Sequence, residues 1–192
     1  MIRSLTTPRA GGVCGIVFAV LLFASAALAS VPTAADSEAT IRAFYRDNAT
    51  AVVLQQVVGA VALVPFAAFA LSLKPNRWLR PALFVFVAVE LVTNVVPLAI
   101  LVAPDAGRAL TQVEDLADDA LFLATAAFVL AAAAAEPLWL RVMSCAVALI
   151  AAGRGVGIGA LGLAAPLLFI AFVLLLSVRQ LLNPRPLARS ET

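Results

Sequence analysis

The 192-residue chain is a string of apolar runs, and almost every charge it carries lies between them. The runs fall at about 11–30, 49–73, 81–103, 117–135, 137–153 and 160–182. A helix of about 20 apolar residues crosses a bilayer, and each run is close to that length. Only 12% of the residues are charged, against about 25% in soluble domains. Such a chain lacks the polar surface to face water. The expected fold is therefore all-α: a polytopic transmembrane helical bundle of six spans. It forms one domain over 11–185, between an N-terminal segment, 1–10, and a tail, 186–192. No soluble domain fits in the remaining length.

The first run has two readings. Arg3 and Arg9 precede it and Ala27-Leu28-Ala29 close it, the layout of a signal peptide with a small-residue cleavage site. Cleavage would leave five spans. The run is long for a signal core, which favours a retained span.

Charge sets the orientation. With six spans and a cytoplasmic N-terminus, Arg3, Arg9, Lys74, Arg77, Arg80, Arg141, Arg179, Arg185 and Arg189 lie inside, and Arg42, Arg46, Arg108 and Arg154 outside. This obeys the positive-inside rule. The expected location is a cell inner (plasma) membrane, with both termini cytoplasmic and the longer, acidic connections outside.

One span holds polar groups near its centre. Glu90 and Asn94, four residues apart, share a helix face. A carboxylate at that depth costs roughly 2.5–3.5 kcal/mol on insertion scales, so it faces other helices, is protonated, or is paired. Gln55, Gln56 and Arg154 are candidate partners, Arg154 reaching inward from the boundary. With Thr125, these groups predict a small polar cavity that opens outward and ends at Glu90. The bland reading is a neutral Glu90 that bonds helix to helix. In the same span Pro97 removes a backbone donor, and Thr93 and Asn94 could re-satisfy the opened turn.

Outside the runs, Ser37 is placed to cap a short interfacial helix through Phe44 and Tyr45. Glu114, Asp115, Asp118 and Asp119 form an acidic run at a helix entry. Asp115, Asp118 and Asp119 could hold a hard cation such as magnesium through oxygen ligands. The bland alternative is a solvated helix start, and no cofactor is otherwise expected. Gly157, Gly159 and Gly162 match G-x-G-x-x-G in letters, but no strand precedes them and no βαβ unit surrounds them. A packing or loop role is expected there.

Several classes are excluded. The chain has no histidine, which removes the commonest general base and metal ligand. Cys14 and Cys145 lie far apart in apolar runs, as packing residues do. A net charge of +2 gives no basis for nucleic-acid binding. The expected partners are the lipid bilayer and a second copy or another membrane protein, through Gly- and Ala-rich helix faces such as Gly155 and Gly159.

Three stretches carry a resemblance: IRAFYRDNATAVVLQQVVGAVALVPFAAF, PLWLRVMSCAVALIAAG, and the last apolar run with its basic end. Ile41, Phe44, Tyr45, Asp47 and Asn48 fit an I-x-x-Y/F-Y-x-D-N-R pattern, and Pro137, Trp139 and Leu140 a P-x-W-L start. The chain thereby resembles small six-span actinobacterial membrane proteins of unknown function over about 40–185. Position 49 is Ala where the pattern often has a basic residue. The resemblance implies a helical bundle in a membrane and no particular reaction.

Two function classes follow. One is a small membrane-embedded binding protein or accessory subunit with its site at Glu90, Asn94, Gln55, Gln56 and Arg154. The other is an intramembrane enzyme or carrier that uses Glu90 as proton acceptor and donor, with a cation at the outer acidic cluster. No catalytic motif selects the second.

Overall fold

The structure, a computed structural model, describes residues 7–182. Arg3, Arg185, Arg189 and the 186–192 tail lie outside the described residues. Seven α-helices follow one another: α1 (Pro8–Ala26), α2 (Glu38–Asp47), α3 (Ala49–Ser72), α4 (Leu79–Val102), α5 (Gly107–Ala133), α6 (Leu138–Gly155) and α7 (Ala164–Leu182). There is no strand among the described residues. All but α2 are long and apolar enough to cross a membrane. The chain is a six-span helical membrane bundle.

Local chemistry sets the helix ends. The Thr7 hydroxyl accepts from the Ala10 N–H at 3.3 Å and Pro8 takes the first helical position, where its missing N–H is harmless. Ser37 caps α2 by accepting from the Thr40 N–H at 3.1 Å. Asn76 accepts from the N–H groups of Trp78 and Leu79 at 3.0 and 3.1 Å, which starts α4. Its amide nitrogen donates to the Ala131 carbonyl at 2.8 Å, tying that turn to the end of α5. Helix α6 runs on through Gly155, two residues past the expected end, before Gly157 breaks it at φ +92°. The left-handed region suits glycine. A short 3-10 turn, Gly159–Leu161, then leads to α7.

The six spans close into a ring in the order α1, α3, α4, α5, α6, α7, with α7 packed back on α1. The α1 contacts are close because three glycines face its neighbours. A β-carbon at Gly11 would clash with Ser72, one at Gly12 would lie 2.7 Å from the Ser177 carbonyl, and one at Gly15 would clash with the Ser177 hydroxyl. Lipid gives no hydrophobic drive for helices to associate, so this kind of backbone approach and its dispersion contacts hold the seam.

Phenylalanines fill the centre of the ring. Phe66 of α3 lies 4.6 Å from Phe18, 4.6 Å from Phe86 and 4.8 Å from Phe128, centroid to centroid. Phe169 of α7 closes the group at 6.1 Å. Five helices thus meet through one tilted aromatic cluster.

The two ends of the bundle differ. One carries the helix-to-helix turns at 73–78 and 134–137, the start of α1 and the end of α7. The other, here the acidic end, carries 27–48, 103–106 and 156–163. At the first end Trp78 and Trp139 stay exposed, as aromatics do at the headgroup level. Glu136 is buried there, 3.2 Å from the Arg179 guanidinium and 3.7 Å from Lys74. This joins three segments that are distant in sequence.

Candidate functional site

Helix α4 presents Glu90 toward the bundle one turn above Phe86. Asn94, one turn further on, donates to the Glu90 carbonyl at 2.6 Å and reaches its carboxylate at 3.4 Å. Thr93 also donates to the Glu90 carbonyl, at 2.9 Å. These side chains therefore bond the backbone at Glu90 itself, and α4 continues as helix through Pro97.

Beside Glu90 lies a chamber of about 340 Å³. Its walls are Phe18, Leu22, Phe23 and Ala26 of α1, Phe86 and Glu90 of α4, and Leu121, Phe122 and Thr125 of α5. Leu163, Pro166, Leu167, Phe169 and Ile170, leading into and along α7, complete it. Phe18, Phe86 and Phe169 belong to the central aromatic cluster, so that cluster is the floor. Phe23, Ala26, Leu163 and Leu167 stay exposed. They place the mouth between α1 and the start of α7, where the two helices part above their glycine seam.

The chamber is apolar, where a polar cavity is expected from the sequence. Glu90 and Thr125 are its polar side chains. Thr125 is buried and makes no hydrogen bond among the described residues. The other expected polar groups are used elsewhere. Gln55 donates to the Ala29 carbonyl at 3.1 Å, and Ser25 donates to the Gln55 carbonyl at 2.9 Å. Asn94 sits in the notch left by Gly59, and Gln56 is buried on α3. Together they make a polar seam between α1, α3 and α4, behind the chamber wall. The polar groups went to backbone because a carboxamide in lipid is stabilised by any carbonyl it can reach.

Arg154 does not reach Glu90. It donates to Asp119 at 2.7 Å and lies over the Phe122 ring at 5.1 Å. The acidic run on α5 is divided among different tasks. Asp115 accepts from the Ala34 N–H at 2.9 Å, Asp119 takes Arg154, and Glu114 accepts from the Tyr45 hydroxyl at 3.2 Å. Asp118 bears electrostatically on Glu90. Among the described residues, no three acidic or cysteine side chains gather where they could hold an ion.

The Tyr45–Glu114 contact pins the amphipathic α2 to α5. Ile41 and Tyr45 are buried, one turn apart, and Arg42 and Arg46 face out. Burial, and then the nearby Glu114 charge, push the Tyr45 phenol well above its ordinary value. Sequence reading missed the aromatic floor and the buried Glu136. Rings within uniformly apolar runs and a Glu at a tight turn carry no local mark of burial.

Compared with protein-family models, with curated proteins and with solved structures, the chain finds no match in any of the three. The geometry alone carries the functional reading.

Proposed function

We propose that this protein is a membrane-embedded binding protein whose chamber takes an apolar, lipid-soluble ligand, with Glu90 and Thr125 as its polar contacts. One observation carries the reading: an apolar chamber between helices of the ring, with one carboxyl and one unpartnered hydroxyl in its wall. Ligand sites are typically apolar clefts of about 300–1,000 Å³ with a few placed polar groups, and this chamber falls within that range. A mouth between α1 and α7 suits a ligand that arrives through the bilayer. The resemblance to small actinobacterial membrane proteins and the basic residues at 74–80, 141 and 179 make a bacterial plasma membrane, with that end cytoplasmic, part of the same proposal.

The test is direct. The full chain in phosphatidylcholine nanodiscs, titrated calorimetrically with 4-phenylbutanol, gives saturable heat above that of empty discs. Ala26→Trp, which narrows the mouth, abolishes it, and Phe84→Trp on the lipid face leaves it unchanged. Heat that persists unaltered in Ala26→Trp refutes the reading.

A second reading draws on the acids above the chamber. Glu114 and Asp118 lie four apart on α5, and Asp118 bears on Glu90. A carrier or intramembrane enzyme could pass a proton along this face to Glu90. Proton-coupled flux into vesicles that Glu90→Gln removes, and that Phe84→Trp does not, would select it.

A further inference from the structure

We infer that the chamber's ligand class is a lipophilic cation, a protonated amine or comparable onium group on an apolar body. This rests on the chamber being a binding site, and adds the charge of what it takes. Glu90 reaches the chamber, and among the described residues no Lys or Arg nitrogen lies within ion-pair reach of it. Its carboxylate contact is neutral, the Asn94 amide at 3.4 Å. The charged group that bears on it from α5 is Asp118, another acid. Arg154, the cation at this end of α6, is held by Asp119 at 2.7 Å. The ionisable group in the chamber wall is thus a carboxyl with no base beside it among the described residues.

The ionised carboxyl would repel an anionic ligand, and a neutral ligand would give it no counter-charge. A cation supplies what is missing, and the attraction is far stronger in a low-dielectric interior than in water. The walls fit the same ligand. Phe18, Phe23, Phe86, Phe122 and Phe169 all border the space, and aromatic faces attract desolvated cations. The Thr125 hydroxyl can accept from an ammonium N–H. A volume of about 340 Å³ suits a single-ring amine with a short alkyl chain.

The experiment compares 4-phenylbutylamine with neutral 4-phenylbutanol, titrated calorimetrically into the full chain in phosphatidylcholine nanodiscs, with empty discs subtracted. The amine is expected to bind at least tenfold more tightly than the alcohol, and Glu90→Gln to bring the two to parity. Equal binding of amine and alcohol to the unaltered protein overturns the cation assignment and leaves the apolar chamber standing. Saturable binding of neither overturns both. A preference for the amine that survives in Glu90→Gln also overturns the assignment, since the charge would then be read elsewhere. The wild-type comparison decides even if Glu90→Gln fails to fold.

Discussion

Gly59 of α3 and Asn94 of α4 fit each other as notch and peg. A β-carbon at position 59 would stand 2.5 Å from the Asn94 side-chain oxygen, while the other end of that amide is held by the Glu90 carbonyl at 2.6 Å. The amide cannot swing away without giving up its bond. Gly59→Ala is therefore expected to destabilise the bundle by about 1–3 kcal/mol, the usual cost of overpacking. Asn94→Ala removes the obstacle. The double variant should be more stable than the sum of the two losses predicts, by at least 0.5 kcal/mol or so. Thermal unfolding of the four proteins in one detergent measures this. Strict additivity would show that the two residues do not share the seam.

The aromatic floor makes a second prediction. Phe66 touches Phe18, Phe86 and Phe128 at 4.6–4.8 Å and is fully buried. Phe→Ala in a packed core costs about 3–5 kcal/mol, part from transfer and part from the void. Lipid is as apolar as the core, so most of the transfer part is lost here and the void and dispersion parts remain. Phe66→Ala should cost about 3 kcal/mol, the low end of that range. Phe84 is 75% exposed on the outer face, and Phe84→Ala should change stability by about 0.5 kcal/mol or less. Denaturation in mixed micelles compares them, and equal losses would mean that the rings do not converge.

These two cases show what the sequence could and could not disclose. Run length alone gave the six spans, because lipid leaves an apolar stretch of that length little choice but helix. The Ser37 cap was readable because its signal is local. Glu90 and Asn94 were placed on one face by helix geometry, and they do approach each other. The convergence of Phe18, Phe66, Phe86, Phe128 and Phe169 was not readable. Each sits in its own uniformly apolar run, where no polar face marks which side turns inward. For the same reason the cavity was expected to be polar. Counting polar residues near Glu90 could not tell that Gln55 and Asn94 would be taken by backbone carbonyls.

Glu136 makes the third prediction. Its side chain is 3% exposed, against 35% for Lys74 and 30% for Arg179. A buried acid between two bases costs desolvation, and breaking such a set leaves charges without a partner. Both bases are about a third exposed and can turn toward water, which limits the loss. Glu136→Gln is expected to cost roughly 1–2 kcal/mol, well below the 3–5 kcal/mol for a fully buried pair. Reversible unfolding of the variant beside the unaltered protein gives the number. No loss at all would mean that the carboxylate is not what holds the turns at 73–78 and 134–137 to α7.

The last prediction uses the chain's single tyrosine. Tyr45 is buried beside Glu114, and its phenol is pushed upward, first by burial and then by that carboxylate. In the unfolded chain the phenol loses its proton near pH 10. In the folded chain it keeps the proton to higher pH. The unfolded state therefore binds fewer protons above pH 10 than the folded state does, and stability falls as pH rises past that point. Two measurements follow. Phenolate absorbance near 295 nm should be nearly absent from the folded protein at about pH 11 and appear on unfolding, because no other tyrosine contributes. Tyr45→Phe should flatten the alkaline fall in stability that the unaltered protein shows above about pH 10. Its stability near neutral pH should drop by about 0.5–1.5 kcal/mol, the net worth of one hydrogen bond. A folded protein that titrates its phenol at the ordinary value would mean that α2 does not bury Tyr45 against α5.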